Sequence, residues 1–136
     1  MDVVTAGRSN QVTYPERTVA RAARAARCAP FALGFYAAMV HRSVSVMELV
    51  GAAATDQGLT RSPISELTAE TETMWLIQVG LLRREVDGQG LTDRFRLTPL
   101  GWSLLDQWQA DPEAWEQQRP LEQWRNRLKR WLHWLG

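Results

Sequence analysis

Val79-Gly80-Leu81-Leu82-Arg83-Arg84-Glu85, then Asp87-Gly88-Gln89-Gly90, Phe95-Arg96-Leu97 and Thr98-Pro99-Leu100-Gly101-Trp102, constrain the fold of this chain more than any other stretch. Gly80 is placed to end a helix in the left-handed conformation that other residues avoid. After it, Leu82 and Val86 alternate with charged neighbours, as do Phe95 and Leu97 with Arg94 and Arg96, so both runs read as half-buried strands. Asp87 to Asp93, with Gly88 and Gly90, reads as the hairpin loop between them. Thr98-Pro99 supplies an N-cap and a first-turn proline for a helix from Leu100 to Trp108. The implied class is mainly α with a small β-hairpin, α+β.

Upstream, residues 1–12 are polar, small and without period, and read as a flexible arm. Thr13 and Glu16 have capping-box spacing and predict a first helix, on which Arg17, Arg21, Arg24 and Arg27 form a basic stripe opposite a small-residue face. Phe31 to Val40, apolar almost all round, is expected to be a central buried helix. Ser45 and Glu48 repeat the capping box and open a helix from Val46 to about Gln57, which Gly58 can end. Ser62-Pro63 predicts the start of the next helix, which runs to Gly80 and places Ile64, Leu67, Thr71, Met74 and Gln78 at helical spacing. Asp111-Pro112 and Pro120 mark further starts. The single domain expected over 13–136 thus divides into N-terminal helices (13–44), a core (45–108) and a C-terminal extension (109–136).

Composition removes several classes of function. Cys28 is the only cysteine, which excludes an internal disulfide and a cysteine-based zinc cluster. His41 and His133 are the only histidines, and their spacing places no ligand pair on one helix face, so no metal and no cofactor are expected. No nucleophile–base arrangement or phosphate-binding glycine loop is recognisable, so an enzyme is not expected. No apolar run approaches the roughly eighteen residues that a membrane span requires. The start, Met1-Asp2-Val3-Val4, carries no basic segment leading into an apolar one, and a cytoplasmic location is the expectation.

Gly80-Leu81-Leu82-Arg83-Arg84-Glu85 through Arg96-Leu97-Thr98-Pro99-Leu100-Gly101 closely resembles the wing region of bacterial regulators of the MarR and PadR type, in which a G-L-[VI]-x-R segment precedes the wing and L-T-x-x-G follows it. The resemblance covers about residues 45–108 and implies a winged helix-turn-helix with extra N- and C-terminal helices. It also implies that the helix from Pro63 to Val79 would lie in the major groove of double-stranded DNA while the wing touches backbone. The residues so implicated are Thr68 and Thr71 for base or sugar contact, and Arg61, Arg83, Arg94 and Arg96 for phosphates.

The charge pattern runs against that use. The net charge of +1 hides two basic ends and an acidic middle: six arginines against Asp2 and Glu16 in residues 1–45, five arginines against twelve acids in 46–118, and four arginines with Lys129 against Glu122 in 119–136. The helix that would read bases carries Glu66, Glu70 and Glu72, with no arginine or lysine from residue 62 to 82. DNA affinity is built chiefly from cations that displace counterions. The stretch from Glu48 to Gly80 is also longer than the compact helix-turn-helix of those regulators. In the extension, Leu121, Trp124, Leu128, Trp131 and Leu135 recur at spacings of three and four, a seam that demands a partner surface, either its own domain or a second copy. Two principal functions are therefore expected: a dimeric DNA-binding regulator, which the resemblance favours, or a protein-interaction module that offers Glu66, Glu70 and Glu72 to a basic partner. A minor alternative is that the Trp- and Arg-rich end rests on an anionic membrane surface.

Overall fold

The computed structural model describes residues 13–116. The expected arm (1–12) and the seam of Leu121, Trp124, Leu128, Trp131 and Leu135 lie outside the described residues. Six helices and a three-stranded antiparallel sheet follow in the order α1 (Glu16–Cys28), α2 (Leu33–Ala38), β1 (Val44–Ser45), a 3-10 turn (Val46–Leu49), α3 (Gly51–Asp56), α4 (Glu66–Gln78), β2 (Leu82–Asp87), β3 (Gly90–Leu97), α5 (Pro99–Ala110) and α6 (Pro112–Glu116). The fold is α+β, and the strand order across the sheet is β1-β3-β2. Among the described residues no helix is long and apolar enough to cross a membrane.

Helix α1 buries its alanines, Ala22, Ala25 and Ala26, and carries exposed Arg17 and Arg21 on the opposite side. Small side chains let its backbone come close to α4, against which it packs. Thr13 does not cap it: the N-cap is Pro15, with an extended backbone and no side-chain hydrogen bond. A helix capped by Thr13 would need Tyr14 in the α region, and a residue that precedes proline is kept out of that region.

The apolar segment after Pro30 is buried as expected, with Phe31, Phe35, Tyr36 and Met39 all inside. Its helix is shorter than the pattern suggests, because Phe31 is drawn into an antiparallel bridge with Thr60. The Ala32 amide donates to the Leu59 carbonyl at 3.0 Å and the Arg61 amide to the Pro30 carbonyl at 2.9 Å, which fixes both segments in extended form. On α2, Gly34 lies so close to Gly58 that a Cβ would collide with the Gly58 carbonyl oxygen.

The capping box of Ser45 and Glu48 forms, but it caps a 3-10 turn and not a long helix. Val50 is extended and Gly51 has φ +81°, so the expected helix from Val46 breaks in two before α3 begins. Gly58, with φ +80°, ends the second piece as expected. The Ser62-Pro63 start is also displaced. The Ile64 carbonyl accepts from the Gly51 amide at 2.9 Å, which holds that segment extended, and α4 begins only after Ser65, whose Oγ accepts from the Thr68 amide at 3.1 Å.

Gly80, with φ +89°, ends α4 and the chain enters the hairpin. Leu82 pairs with Leu97, Arg83 with Arg96 and Arg84 with Phe95, then a bulge lets Val86 face Leu91. The loop is tighter than Asp87–Asp93, because Leu91, Thr92 and Asp93 belong to β3. The bulge keeps its polar groups satisfied: Thr92 Oγ1 donates to the Glu85 carbonyl at 2.9 Å and accepts from the Arg94 amide at 3.1 Å. Strand β1, two residues long and without alternation to betray it, pairs Val44 with Phe95. Thr98 caps α5 by accepting from the Gly101 amide at 3.1 Å, with Pro99 in the first turn. The core is closed at this end by Tyr36, Trp108 and Trp115, whose ring centroids lie 4.8–5.7 Å apart.

Candidate interaction surface

Helix α4 has two unlike faces. Inward it presents Ala69, Thr73 and Leu76, all buried, with the Thr73 hydroxyl donating to the Ala69 carbonyl at 2.8 Å. The stripe of Leu67, Glu70, Thr71, Met74 and Gln78 points outward, and Glu66 is exposed at the helix start. An amphipathic surface helix normally turns its larger apolar residues inward. Here Leu67 is 72% exposed and Met74 54%, while Ala69, Thr73 and Leu76 take the inner positions with Trp75 and Ile77 packed beside them.

The implicated polar residues of α4 fall into different settings. Thr71 stands on the outward face, but Thr68 is half-buried and its hydroxyl accepts from Ser65 Oγ at 3.1 Å. Glu66 and Glu70 are exposed. Glu72 is half-buried on the inward flank, near enough to Tyr36 for its charge to act on the phenol. Burial pushes the Tyr36 phenol well above its ordinary range, and it serves as a donor to the Ala26 carbonyl at 3.1 Å. The three glutamates therefore do not form one patch.

The arginines expected to meet phosphates are largely turned to intramolecular use. Arg61 faces inward: its Nε donates to the Phe31 carbonyl at 3.0 Å, its guanidinium carbon lies 5.4 Å from the Trp115 ring centroid, and both terminal nitrogens are shielded from solvent. That placement takes it out of reach of a phosphate. Arg94 donates to Ser43 Oγ at 2.8 Å and lies 3.7 Å from Glu48, while Arg96 pairs with Glu85 at 2.9 Å. Arg84 stacks over Phe95 at 5.3 Å. Arg83 is exposed on the hairpin. At the hairpin tip Val86 and Leu91, cross-strand partners, are 64% and 74% exposed.

Glu48 joins the hairpin to the 3-10 turn. One carboxylate oxygen accepts from the Ser45 amide at 3.0 Å and lies near Arg94, and the other accepts from Arg42 at 2.8 Å. Burial raises its pKa, but the Ser45 amide and the Arg42 guanidinium together outweigh that and hold the carboxyl below the ordinary glutamate range. A carboxylate depressed in the folded state stabilises fully above its unfolded pKa, and that stability is lost as pH falls through the folded value. Glu48→Gln is therefore expected to cost about 1 kcal/mol or less at neutral pH, and the difference from the parent should shrink as pH drops below the ordinary glutamate range. Urea midpoints of both proteins at neutral and acid pH check this. A difference that persists or grows in acid contradicts it.

Chemically this surface offers apolar side chains beside carboxylates. Among the described residues no group of three or more histidines, cysteines, aspartates and glutamates could hold a metal ion. The outward face of α4 and the apolar hairpin tip were hidden from sequence reasoning, since Leu67, Met74, Val86 and Leu91 carry patterns equally suited to a core. The absence of any cation from residue 62 to 82 was the available signal of the acidity of α4. Neither curated proteins nor solved structures give a significant match to the chain. The sequence model of the Npun_F0494-like family matches residues 12–133, nearly the whole chain. The protein belongs to the Npun_F0494-like family.

Proposed function

We propose that this protein is a winged-helix interaction module that docks a basic, partly apolar protein segment on the outward face of α4. The observation that carries the reading is the make-up of that face: Leu67, Met74, Glu66 and Glu70 exposed, with no arginine or lysine between residues 62 and 82. The order of elements around a sheet of order β1-β3-β2, with α3 and α4 ahead of the hairpin, supports the winged-helix part of the reading. Exposed leucine and methionine on a helix supply apolar contact area, and carboxylates beside them favour a cationic partner and repel an anionic one.

A DNA-binding regulator is the second reading, favoured by the four arginines carried on the hairpin, Arg83, Arg84, Arg94 and Arg96. Their ion pairs are no barrier in themselves, because partly exposed pairs are worth only about 0–1 kcal/mol. The obstacle is what they would leave behind. Freeing Arg94 and Arg96 exposes Glu48 and Glu85 to the same phosphates.

Anisotropy titrations of the full chain against a labelled leucine-lysine helical peptide and a labelled random-sequence duplex separate the two. The expected result is peptide binding whose Kd rises roughly ten-fold or more in Glu66→Lys/Glu70→Lys, with little binding to the duplex at physiological salt. Tight duplex binding that falls steeply with salt and with Arg94→Ala/Arg96→Ala, and no peptide binding, would overturn it.

A further inference from the structure

We infer that the outward face of α4 is covered by residues 119–136 of a second copy of this chain, and that two copies exchange these segments reciprocally. The inference rests on the docking reading of α4 and names its partner. Charge is the first argument. The face carries Glu66 and Glu70 without a cation, and residues 119–136 carry Arg119, Arg125, Arg127, Lys129 and Arg130 against Glu122. The apolar groups match as well: Leu67 and Met74 stand exposed on α4, and Leu121, Trp124, Leu128, Trp131 and Leu135 make one stripe at helical spacing.

Dimensions agree. As a helix, the stretch from Leu121 to Leu135 is about 21 Å long, close to the roughly 20 Å of α4. Four tryptophans exchanged between two copies, each burying about 150–250 Å², supply at least about half of the ~1,200 Å² that a stable interface needs before the leucines and the receiving faces are counted. Reciprocal exchange gives a closed two-fold dimer with no free face to propagate.

Sedimentation equilibrium of the full chain tests the exchange. The expected results are a concentration-dependent dimer, a dissociation constant raised roughly ten-fold or more at low salt in Glu66→Lys/Glu70→Lys, and recovery when Arg125→Glu/Arg127→Glu/Lys129→Glu is added to that variant. Circular dichroism confirms that these exposed substitutions leave the fold in place. A monomer at all concentrations, or a dimer indifferent to the charge reversals, overturns the inference. A monomer that still binds the leucine-lysine peptide through Glu66 and Glu70 overturns the exchange alone and leaves the docking reading standing. Loss of peptide binding as well removes both.

Discussion

Trp108→Ala is expected to lower the stability of this protein by about 3–5 kcal/mol. The indole is almost fully buried, with its centroid 4.8 Å from that of Trp115 and 5.7 Å from that of Tyr36. Removing it leaves a void that the neighbouring rings cannot close without surrendering their own contacts. It also loosens the seat of Trp115, and with it the stacking of Arg61 and the bond from Arg61 to Phe31. For a chain of this size the loss corresponds to about 10–20 °C in Tm. Trp102, half-buried on the same helix, is the control, and its truncation should cost much less. Thermal melts of both variants decide the matter. A Trp108→Ala protein within about 1 kcal/mol of the parent would mean that the aromatic cluster contributes little to closing this end of the core.

Gly101→Ala is expected to be nearly as damaging, and for a different reason. A Cβ at Gly101 would stand 2.6 Å from the Leu81 carbonyl oxygen and 2.9 Å from Leu97 Cδ2. Neither neighbour is free to retreat. The Leu81 carbonyl accepts from the Thr98 amide and from the Thr98 hydroxyl, both at 3.1 Å, and Leu97 is buried in the ladder opposite Leu82. Alanine's helix preference over glycine returns about 1 kcal/mol. A clash with fixed backbone exceeds that, so a net loss at the upper end of about 1–3 kcal/mol is expected. Gly88→Ala, with nothing within 4 Å of the added carbon, should fall within about 0.5 kcal/mol of the parent. Urea unfolding of the pair reads the difference directly. Equal stabilities would show that α5 can slide away from Leu81 at little cost.

These two sites also mark how far the fold was legible. The Thr98 cap, the glycine stops at Gly58 and Gly80, the Ser45–Glu48 box and the two hairpin strands are written in neighbouring residues, and all are present. What failed was decided by contacts between distant segments. Ile64 is held by Gly51, which delays α4 to Ser65, Phe31 is held by Thr60, which shortens α2, and β1 exists only because Val44 meets Phe95. The candidate surface follows the same division. The acidity of α4 is plain in its composition, whereas the outward turn of Leu67 and Met74 depends on Ala69, Thr73 and Leu76 taking the inner positions. Arg94 and Arg96 look free for phosphates until the fold brings Glu48 and Glu85 beside them.

The crossing of Gly34 over the Gly58 carbonyl carries a consequence for how such chains diverge. Gly58 needs hydrogen at Cα for its positive φ, and Gly34 needs it for room, so the two positions are constrained by separate causes at one point of contact. A single substitution at either site meets its own obstacle, and no compensating change at the other removes it. Distant members of the family should therefore keep both glycines after the surface of α4 and the hairpin tip have drifted beyond recognition. Their spacing offers a short fingerprint by which to find them.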